Sequence, residues 1–224
     1  DRGGLPVRWF AGLPVMPAIT RRIRLQLVAK QIFDRLFALL ALIALLPLLT
    51  IVAIAIKLTS DGPVLFKQPR EGKDGVLFGV FKFRSMRVEL GDATGVAQTT
   101  RADPRVTPIG ALLRRTSIDE LPQLLNVLRG EMSIVGPRPH VPDMRAADRR
   151  YDELVPYYPL RTSMLPGLTG WAQCNGLRGP TTDAACAIAR VEYDMAYIQN
   201  FSFWLDIRII LLTLKREFLR GSGH

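Results

Sequence analysis

Cysteine and histidine are nearly absent from this chain of 224 residues. It has two of each: Cys174 and Cys186, His140 and His224. Two cysteines cannot form a disulfide framework or a four-cysteine zinc site. Two histidines exclude a metal site built from several imidazoles and disfavour a Ser-His-Asp hydrolase. The glycine patterns of P-loop, dinucleotide-binding and nucleophile-elbow proteins are also missing. The sequence is therefore typical of a reducing compartment and lacks the common nucleotide-binding motifs.

Acidic residues are too few to balance the basic ones. Thirty Lys and Arg oppose 20 Asp and Glu, which gives a net charge of +10, and 24 of the thirty are arginine. Nucleic acid, an anionic membrane surface or a phosphorylated substrate would each explain this excess, and a GC-rich genome would explain the arginine bias alone. Because no known nucleic-acid-binding motif is present, we expect no nucleic-acid partner.

A stretch of 21 residues, 36–56, carries no charge. As a straight helix it would measure about 31 Å, close to the hydrocarbon thickness of a bilayer, so a membrane segment is favoured over a buried core helix. Pro47 lies in its middle, where the missing N–H predicts a kink or a break. Both flanks are basic, which favours the cytoplasmic side for both. We therefore predict a Pro-broken, re-entrant helix over residues 30–57 and a monotopic protein; a kinked membrane-spanning helix is the alternative.

The other residues predict an α+β fold around this segment. Residues 1–29 form a basic tail and residues 58–224 a larger domain. Two β-prone runs, 64–66 and 76–83, predict a short hairpin. Helices are expected within residues 109–113, 121–128, 142–154, 183–200 and 204–219. The last is amphipathic, and its apolar stripe packs either on the core or at a membrane interface; the stripe consists of Ile207, Ile210, Leu211, Leu214 and Phe218.

Asp119 and Glu120 are the residues best suited to chemistry, and two interpretations of them stay open. Ser117 followed by Glu120 fits a capping box, and acidic residues stabilise a first helical turn. Alternatively, one carboxylate is a nucleophile and the other binds a metal ion or moves protons. Adjacent residues do not share a helix face, so the two carboxylates would have separate roles.

Many basic residues accompany this pair. Lys82 and Arg84 alternate with phenylalanines in a predicted strand, so they would line one face of it, and Arg138 stands in a rigid turn between Pro137 and Pro139. Preorganised cations that contact a phosphate lower the barrier to phosphoryl transfer. A solvated basic face would give the same pattern. A carboxylate nucleophile would also need a divalent ion to offset its repulsion from the phosphate.

A series of short segments between residues 30 and 213 points to one family. They are Lys30-x-x-Phe33-Asp34, Gly62-Pro63, Gln68-x-Arg70-x-Gly72, Lys82-Phe83-Arg84-Ser85-Met86, Asp103-x-Arg105-x-Thr107-x-x-Gly110, Arg114-x-x-Ser117-x-Asp119-Glu120-Leu121-Pro122-Gln123, Gly130-x-Met132-Ser133-x-Val135-Gly136-Pro137-Arg138-Pro139, Pro166-Gly167-Leu168-Thr169-Gly170-Trp171-Ala172-Gln173 and Tyr197-Ile198-x-Asn200-x-Ser202. In this order they resemble the bacterial sugar transferases that are polyprenyl-phosphate phosphoglycosyl transferases of the monotopic class. Gln31 and Cys174 depart from the usual pattern at positions away from the expected chemistry.

The resemblance implies a mechanism. Asp119 would attack the β-phosphate of a UDP-sugar and expel UMP, and undecaprenyl phosphate would then take the phosphosugar from the aspartyl enzyme. Glu120 would assist through Mg²⁺ or proton transfer, so both carboxylates are candidate metal ligands. The candidates for binding phosphate are Lys82, Arg84, Arg114, Arg138 and Arg178.

The resemblance also implies a location and a substrate subgroup. Residues 58–224 would be a cytoplasmic catalytic domain on the bacterial inner membrane, with a UDP-sugar, undecaprenyl phosphate and the lipid bilayer as partners and a homodimer left open. The stretch 176–180 resembles the subgroup that starts exopolysaccharides with glucose 1-phosphate, with galactose 1-phosphate as the alternative, and the tail resembles the end of a preceding domain. A non-catalytic scaffold that binds anionic lipid is the alternative function.

Overall fold

One long helix forms most of the N-terminal part of the structure. The computed structural model describes residues 4–87, 103–177, 179 and 183–220, the last four of them by backbone alone. Helix α1 spans Arg21–Thr59. It begins there because the Thr20 hydroxyl caps it, accepting a hydrogen bond from the Ile23 N–H at 3.3 Å. The helix therefore starts earlier than the predicted segment 30–57.

Pro47 lies inside α1, and the helix continues through it. A break at Pro47 is therefore not seen, and the re-entrant course of α1 stays a prediction. A proline removes only its own N–H donor, and the leucine- and alanine-rich turns on either side favour the helix strongly. By length and composition, α1 is the one helix among the described residues that could cross a membrane.

Both ends of the uncharged stretch of α1 pack on the same domain. Ala38, near its start, belongs to the main core, whereas Val52 and Ile56, near its end, pack with Phe83 and Leu113 in a second cluster. The opposite side of the helix is exposed and apolar, with Leu36, Phe37, Leu39, Leu40, Ile43, Leu46, Leu48, Ile51 and Ile54. One face of α1 therefore lies along the domain while the other presents large apolar side chains outward.

A buried polar cluster fastens the start of α1 to the rest of the domain. Lys30 Nζ lies 2.5 Å from Asp206 Oδ2 and 3.7 Å from Asp34 Oδ2. Ser133 donates its hydroxyl to Asp34 at 2.6 Å, and Tyr197 donates to Asp206 at 2.8 Å. All five residues are at most 4% exposed. In this group, which we name the anchor cluster, each carboxylate has two partners.

The predicted hairpin is confirmed, with a longer first strand than expected. β3 (Leu65–Glu71) pairs antiparallel with β4 (Leu77–Phe83). β3 continues through Pro69, which an edge strand tolerates. Lys82 lies opposite Phe66 and Arg70 opposite Phe78. Since directly opposed residues project from the same face of a sheet, Lys82 and Arg70 share one face of the hairpin.

Short elements connect the hairpin to the C-terminal helices. They are α2 (Pro108–Arg115), a 3₁₀ helix (Ile118–Gln123), α3 (Leu124–Arg129), β5 (Ser133–Val135), β6 (Arg145–Ala146), β7 (Arg149–Arg150), α4 (Tyr151–Leu154), a second 3₁₀ helix (Tyr158–Ser163), β8 (Gly167–Thr169) and α5 (Trp171–Cys174). β5 and β8 are parallel, whereas β6 and β7 form a hairpin. The helix predicted over residues 142–154 is therefore wrong except for its last turn. Ala147 and Asp148 adopt positive φ, as a tight hairpin turn requires.

The N-terminal tail lies on the domain as a strap. It contains a small hairpin of β1 (Trp9–Phe10) and β2 (Leu13–Pro14). The Arg8 N–H donates to Gln199 Oε1 at 2.6 Å, and the Gln199 amide donates back to the Arg8 carbonyl at 3.0 Å. The tail is thereby fixed to Gln199, the last residue of the helix Ala184–Gln199.

Two predicted C-terminal helices are confirmed. α6 (Ala184–Gln199) runs through the main core, and α7 (Phe203–Arg220) follows it. The stripe on α7 divides: Ile210 packs against the core, whereas Leu211 and Leu214 are exposed, as is Trp204 at 79%. The helix therefore has a core face and a separate, outward apolar face. The mixed helix-and-strand composition confirms the α+β class.

Candidate active site

The Asp119–Glu120 pair lies in a 3₁₀ turn rather than at a capped helix start. Ser117 precedes this turn in the left-handed conformation, with φ 56° and ψ 15°, and its side chain makes no capping hydrogen bond. The Glu120 side chain turns toward Lys82 and Arg138 instead of back to the chain. The capping-box interpretation is therefore wrong, and the pair is available for other contacts.

Glu120 is held between two cations. Its Oε1 accepts a hydrogen bond from Lys82 Nζ at 2.7 Å and from Arg138 Nη2 at 2.8 Å. Burial alone would raise the pKa of Glu120, but the charges of Arg138 and Lys82 and their hydrogen bonds hold it well below the usual range. Glu120 is therefore ionised at neutral pH and fixes the ends of two long basic side chains.

Asp119 is the opposite case. It is 8% exposed and has no hydrogen-bond or ion-pair partner among the described residues. Burial raises its pKa to about 6, a shift that Lys82 opposes and the charge of Glu120 reinforces. At pH 7 most of this carboxyl group is ionised, yet it is poorly solvated, which is the condition of an activated carboxylate nucleophile.

Lys82 is positioned by the edge of its strand. Asn126, fully buried in α3, accepts from the Phe81 N–H at 3.0 Å and donates to the Gly79 carbonyl at 2.8 Å. This amide takes the place of a neighbouring strand along β4. A third bond, from Asn126 to Glu131 at 2.7 Å, fixes the amide itself. The strand that carries Lys82 is thereby held against α3.

The remaining predicted site residues separate into three groups. Arg114, in the last turn of α2, lies near enough for its charge to lower the pKa of Asp119. Arg84 does not join the site: its guanidinium donates to the carbonyls of Asp61 at 2.5 Å and Ser60 at 2.7 Å. The negative end of α1 attracts this cation. Arg178 lies outside the described residues.

Arg70 is a site residue that the sequence analysis did not single out. Its guanidinium donates to Gln68 Oε1 at 2.6 Å and to the Pro139 carbonyl at 3.3 Å. Burial and the nearby charge of Arg138 lower its pKa to about 10. The position of Arg70 in its strand could have identified it. If the first predicted strand is extended through Pro69, the two-residue alternation of side chains places Arg70 on the same face of the hairpin as Lys82.

The carboxylates also determine what metal ion the site could hold. The described residues contain no group of three or more Asp, Glu, His or Cys side chains placed to bind one ion. Asp119 and the second oxygen of Glu120 could supply one or two ligands. Mg²⁺ accepts such a site, because it commonly takes its other ligands from substrate phosphates and water. The residues therefore fit Mg²⁺ bound together with a phosphorylated substrate.

The chain is similar to known proteins of exopolysaccharide production and of glucose-phosphate transfer. The chain is 56% identical over 199 residues to an exopolysaccharide production protein (PSS) of Rhizobium leguminosarum bv. phaseoli, covering 89% of this chain and all of that protein. It is 52% identical over 228 residues to an undecaprenyl-phosphate glucose phosphotransferase of Komagataeibacter xylinus, covering all of this chain and 42% of the relative.

A third relative is similar over almost the whole chain. It is a UDP-glucose:undecaprenyl-phosphate glucose-1-phosphate transferase of Escherichia coli K12, 45% identical over 214 residues, with 95% of this chain and 45% of the relative covered. The chain thus spans less than half the length of these two phosphotransferases. A model of the family described as bacterial sugar transferase matches residues 25–220. The chain therefore belongs to the bacterial sugar transferase family and is a transferase.

Proposed function

We propose that this protein transfers glucose 1-phosphate from UDP-glucose to undecaprenyl phosphate and releases UMP, as a first membrane step of exopolysaccharide assembly. The observation that carries the proposal is the buried Asp119 carboxylate, without a partner among the described residues, next to a Glu120 held by Lys82 and Arg138. The names of the relatives, two of them glucose phosphotransferases, support this donor and acceptor.

The reaction would proceed in two displacements at phosphorus. An Asp119 carboxylate oxygen attacks the β-phosphorus of the UDP-sugar; a P–O bond forms, the bond to the bridging oxygen breaks, and UMP leaves with the electron pair. A phosphate oxygen of undecaprenyl phosphate then attacks the same phosphorus, and the Asp119 carboxylate is released. Lys82, Arg138 and Arg114 would stabilise the negative charge on the phosphoryl oxygens in both steps.

Glu120 would act through the cations that it holds. Its lowered pKa keeps it ionised, so a role in orienting Lys82 and Arg138 suits it better than proton transfer. Asp119 and Glu120 would also hold Mg²⁺, which when bound supplies charge to neutralise the diphosphate. Chelation with EDTA should stop UMP release and added Mg²⁺ should restore it. Full activity in EDTA would remove the metal from the proposal.

The acceptor is a lipid, and α1 offers a monotopic attachment to the bilayer. Both ends of its uncharged stretch contact one domain, whereas a membrane-spanning helix would carry them to opposite sides. The outward apolar face of α1, together with Trp204, Leu211 and Leu214 of α7, would enter one leaflet. We infer attachment to the cytoplasmic face of the inner membrane, with α1 kinked at Pro47 and re-entrant rather than spanning. Cysteines introduced at Arg24 and Lys73 should be labelled from the same side; labelling from opposite sides would refute this.

The activity itself is tested by UMP release from purified protein in nanodiscs. UDP-glucose with undecaprenyl phosphate should give UMP and lipid-linked glucose phosphate, and UDP-galactose tests the alternative donor. With UDP-glucose alone, intact-mass spectrometry should detect a glucose phosphate adduct that disappears when the lipid is added. A non-catalytic, lipid-binding scaffold would release no UMP with any donor. Product formation without an adduct at any time point would eliminate the aspartyl intermediate.

A further inference from the structure

The loop that carries Arg138, residues 136–140, is held through its carbonyl oxygens. Pro137 and Pro139 have no N–H to donate, so the loop depends on donors from other segments. The four carbonyls in succession each accept a hydrogen bond: Pro137 from the Gly167 N–H at 2.9 Å, Arg138 from Arg161 Nη2 at 2.5 Å, Pro139 from Arg70 Nη1 at 3.3 Å and His140 from the Glu71 N–H at 2.9 Å. The backbone on both sides of Arg138 is therefore fixed from three directions.

Arg161 supplies the contact to Arg138 itself, and it is anchored in turn. Its Nε and Nη2 donate to Asp194 Oδ2 at 3.1 and 2.9 Å. Both residues are 2% exposed. Arg161 therefore lies in the core, out of reach of a substrate at the protein surface, while one of its nitrogen atoms bridges the α6 carboxylate and the backbone of Arg138.

The placement of Arg138 depends on this contact more than on its own side chain. The Arg138 side chain is 37% exposed and reaches Glu120 through one hydrogen bond. The two prolines fix their own φ angles, and Pro139 restricts the backbone of Arg138 to the extended region, but neither proline holds the loop against the rest of the domain. A guanidinium can bind a carboxylate and a carbonyl at once because it has five donors in a fixed plane, whereas a lysine ammonium has no such fork.

We propose that Arg161, anchored by Asp194, is a positioning residue that holds Arg138 where it pairs with Glu120 and meets the substrate phosphate. The inference rests on the proposed function, since it assigns Arg138 to the transferred phosphate. It extends that function to a chain of contacts from α6 through Arg161 and the Arg138 backbone to Glu120. A displacement of about 1 Å at a catalytic group can cost about 10²-fold in rate, so a core residue can control turnover here.

The test is Arg161→Lys, which keeps the charge beside Asp194 and removes the fork. We expect UMP release to fall by about 10- to 10²-fold, with the same division between kcat and KM as in Arg138→Ala. The matched control is Arg216→Lys, because Arg216 also donates to a backbone carbonyl, that of Cys174 at 2.8 Å. The control should retain activity. Unchanged turnover in Arg161→Lys would overturn the inference.

A double variant separates positioning from general stability. If Arg161 acts through Arg138, adding Arg161→Lys to Arg138→Ala should cause little further loss, since the contact that it serves is already gone. Additive losses would overturn the inference. Asp194→Asn is the second single variant and should show the same loss of turnover. Loss of the fold in both single variants would assign the pair to stability alone and would equally overturn it.

Hydrogen–deuterium exchange provides a readout that needs no activity. In Arg161→Lys, the amides of Gly167 and Glu71, which bind the loop carbonyls, should exchange faster, while the β6–β7 hairpin should be unchanged. Unaltered exchange at both amides would overturn the inference. If the unmodified protein released no UMP, the proposed function would fail, and this exchange measurement would still decide whether Arg161 holds the loop.

Discussion

In the anchor cluster, the two buried carboxylates of Asp34 and Asp206 share Lys30, and each also accepts a hydroxyl hydrogen bond. In the active site, two neighbouring carboxylates also lie among cations, but Glu120 takes both close contacts and Asp119 has none among the described residues. Both regions combine acids with lysine or arginine in a buried setting. In the anchor cluster every carboxylate has two partners, whereas in the candidate active site one carboxylate has no close partner among the described residues.

This difference in pairing distinguishes a cluster that stabilises the fold from a cluster that is suited to a reaction. A fully paired buried network is stable and specific but has no reactive group left over. A buried carboxylate without a partner costs free energy, which a protein tolerates where the group must react. Burial and charge alone would not distinguish the two clusters; the pairing of each carboxylate does. The following predictions test this contrast in order of expected effect.

The largest effect is expected at the unpaired carboxylate. Asp119→Asn removes the proposed nucleophile and should lower UMP release by at least about 10³-fold without loss of the fold. The control is Asp148→Asn, an exposed position in the β6–β7 turn where asparagine accepts the same left-handed backbone. Substantial turnover in Asp119→Asn would mean that the unpaired carboxylate is not the reacting group.

A substitution in the anchor cluster should lower the stability of the fold. Lys30→Met preserves the volume of the side chain but leaves Asp34 and Asp206 buried without their cation. The free energy of unfolding should fall by about 3–5 kcal/mol, measured by thermal unfolding in detergent. Lys73→Met, at an exposed position, is the control. A variant as stable as the unmodified protein would show that the anchor cluster contributes nothing.

Removal of a cation inside the site should lower the activity far more than removal of a cation outside it. Arg138→Ala removes a partner of Glu120 and should reduce kcat/KM for UDP-glucose by about 10²-fold or more. Arg145→Ala, at the exposed position of β6, should change it by no more than about twofold. Similar losses in both would indicate that basic charge on the surface, rather than the geometry around Glu120, drives the activity.

Asp119→Asn should also make the protein more stable at neutral pH. The pKa of Asp119 is about 6 in the folded chain, against 3.8 for an ordinary aspartate. A raised pKa means that the folded state holds the charge at a cost, which is complete above pH 6 and vanishes below pH 3.8. The cost is at most about 3 kcal/mol. The gain in melting temperature over the unmodified protein should therefore be larger at pH 7.5 than at pH 5; the reverse trend would contradict a raised pKa.

The sequence predicted those parts of the molecule that local pattern determines. Two β-prone runs separated by turn residues gave the hairpin, and local helical patterns gave α6 and α7. The prediction that Lys82, Glu120 and Arg138 share a site agrees with their contacts. In each of these cases the neighbouring residues, or a matching family motif, carry the information.

The sequence was a poor guide to contacts between distant segments and to the backbone conformation of single residues. Arg84 alternates with Lys82 in sequence, but β4 ends between them and the end of α1 captures Arg84. Pro47 was expected to kink or break α1, and the helix continues through it. The pairing of Glu120 with two cations, rather than with its own backbone, depends on how Ser117 turns the chain, and no local pattern predicts that a serine takes this conformation.

Ser117 therefore gives the smallest but most specific test of the contrast. Its left-handed backbone is strained for a residue with a side chain, and its hydroxyl caps nothing. Ser117→Gly should raise the free energy of unfolding by about 0.5–1 kcal/mol and preserve UMP release, because glycine accepts the left-handed backbone that precedes the turn with Asp119 and Glu120. Ser117→Ala should change stability little, whereas a capping role would cost about 0.5–2 kcal/mol. None of the anchor-cluster residues adopts a positive φ, so strain as well as an unpaired carboxylate distinguishes the reacting region from the structural one.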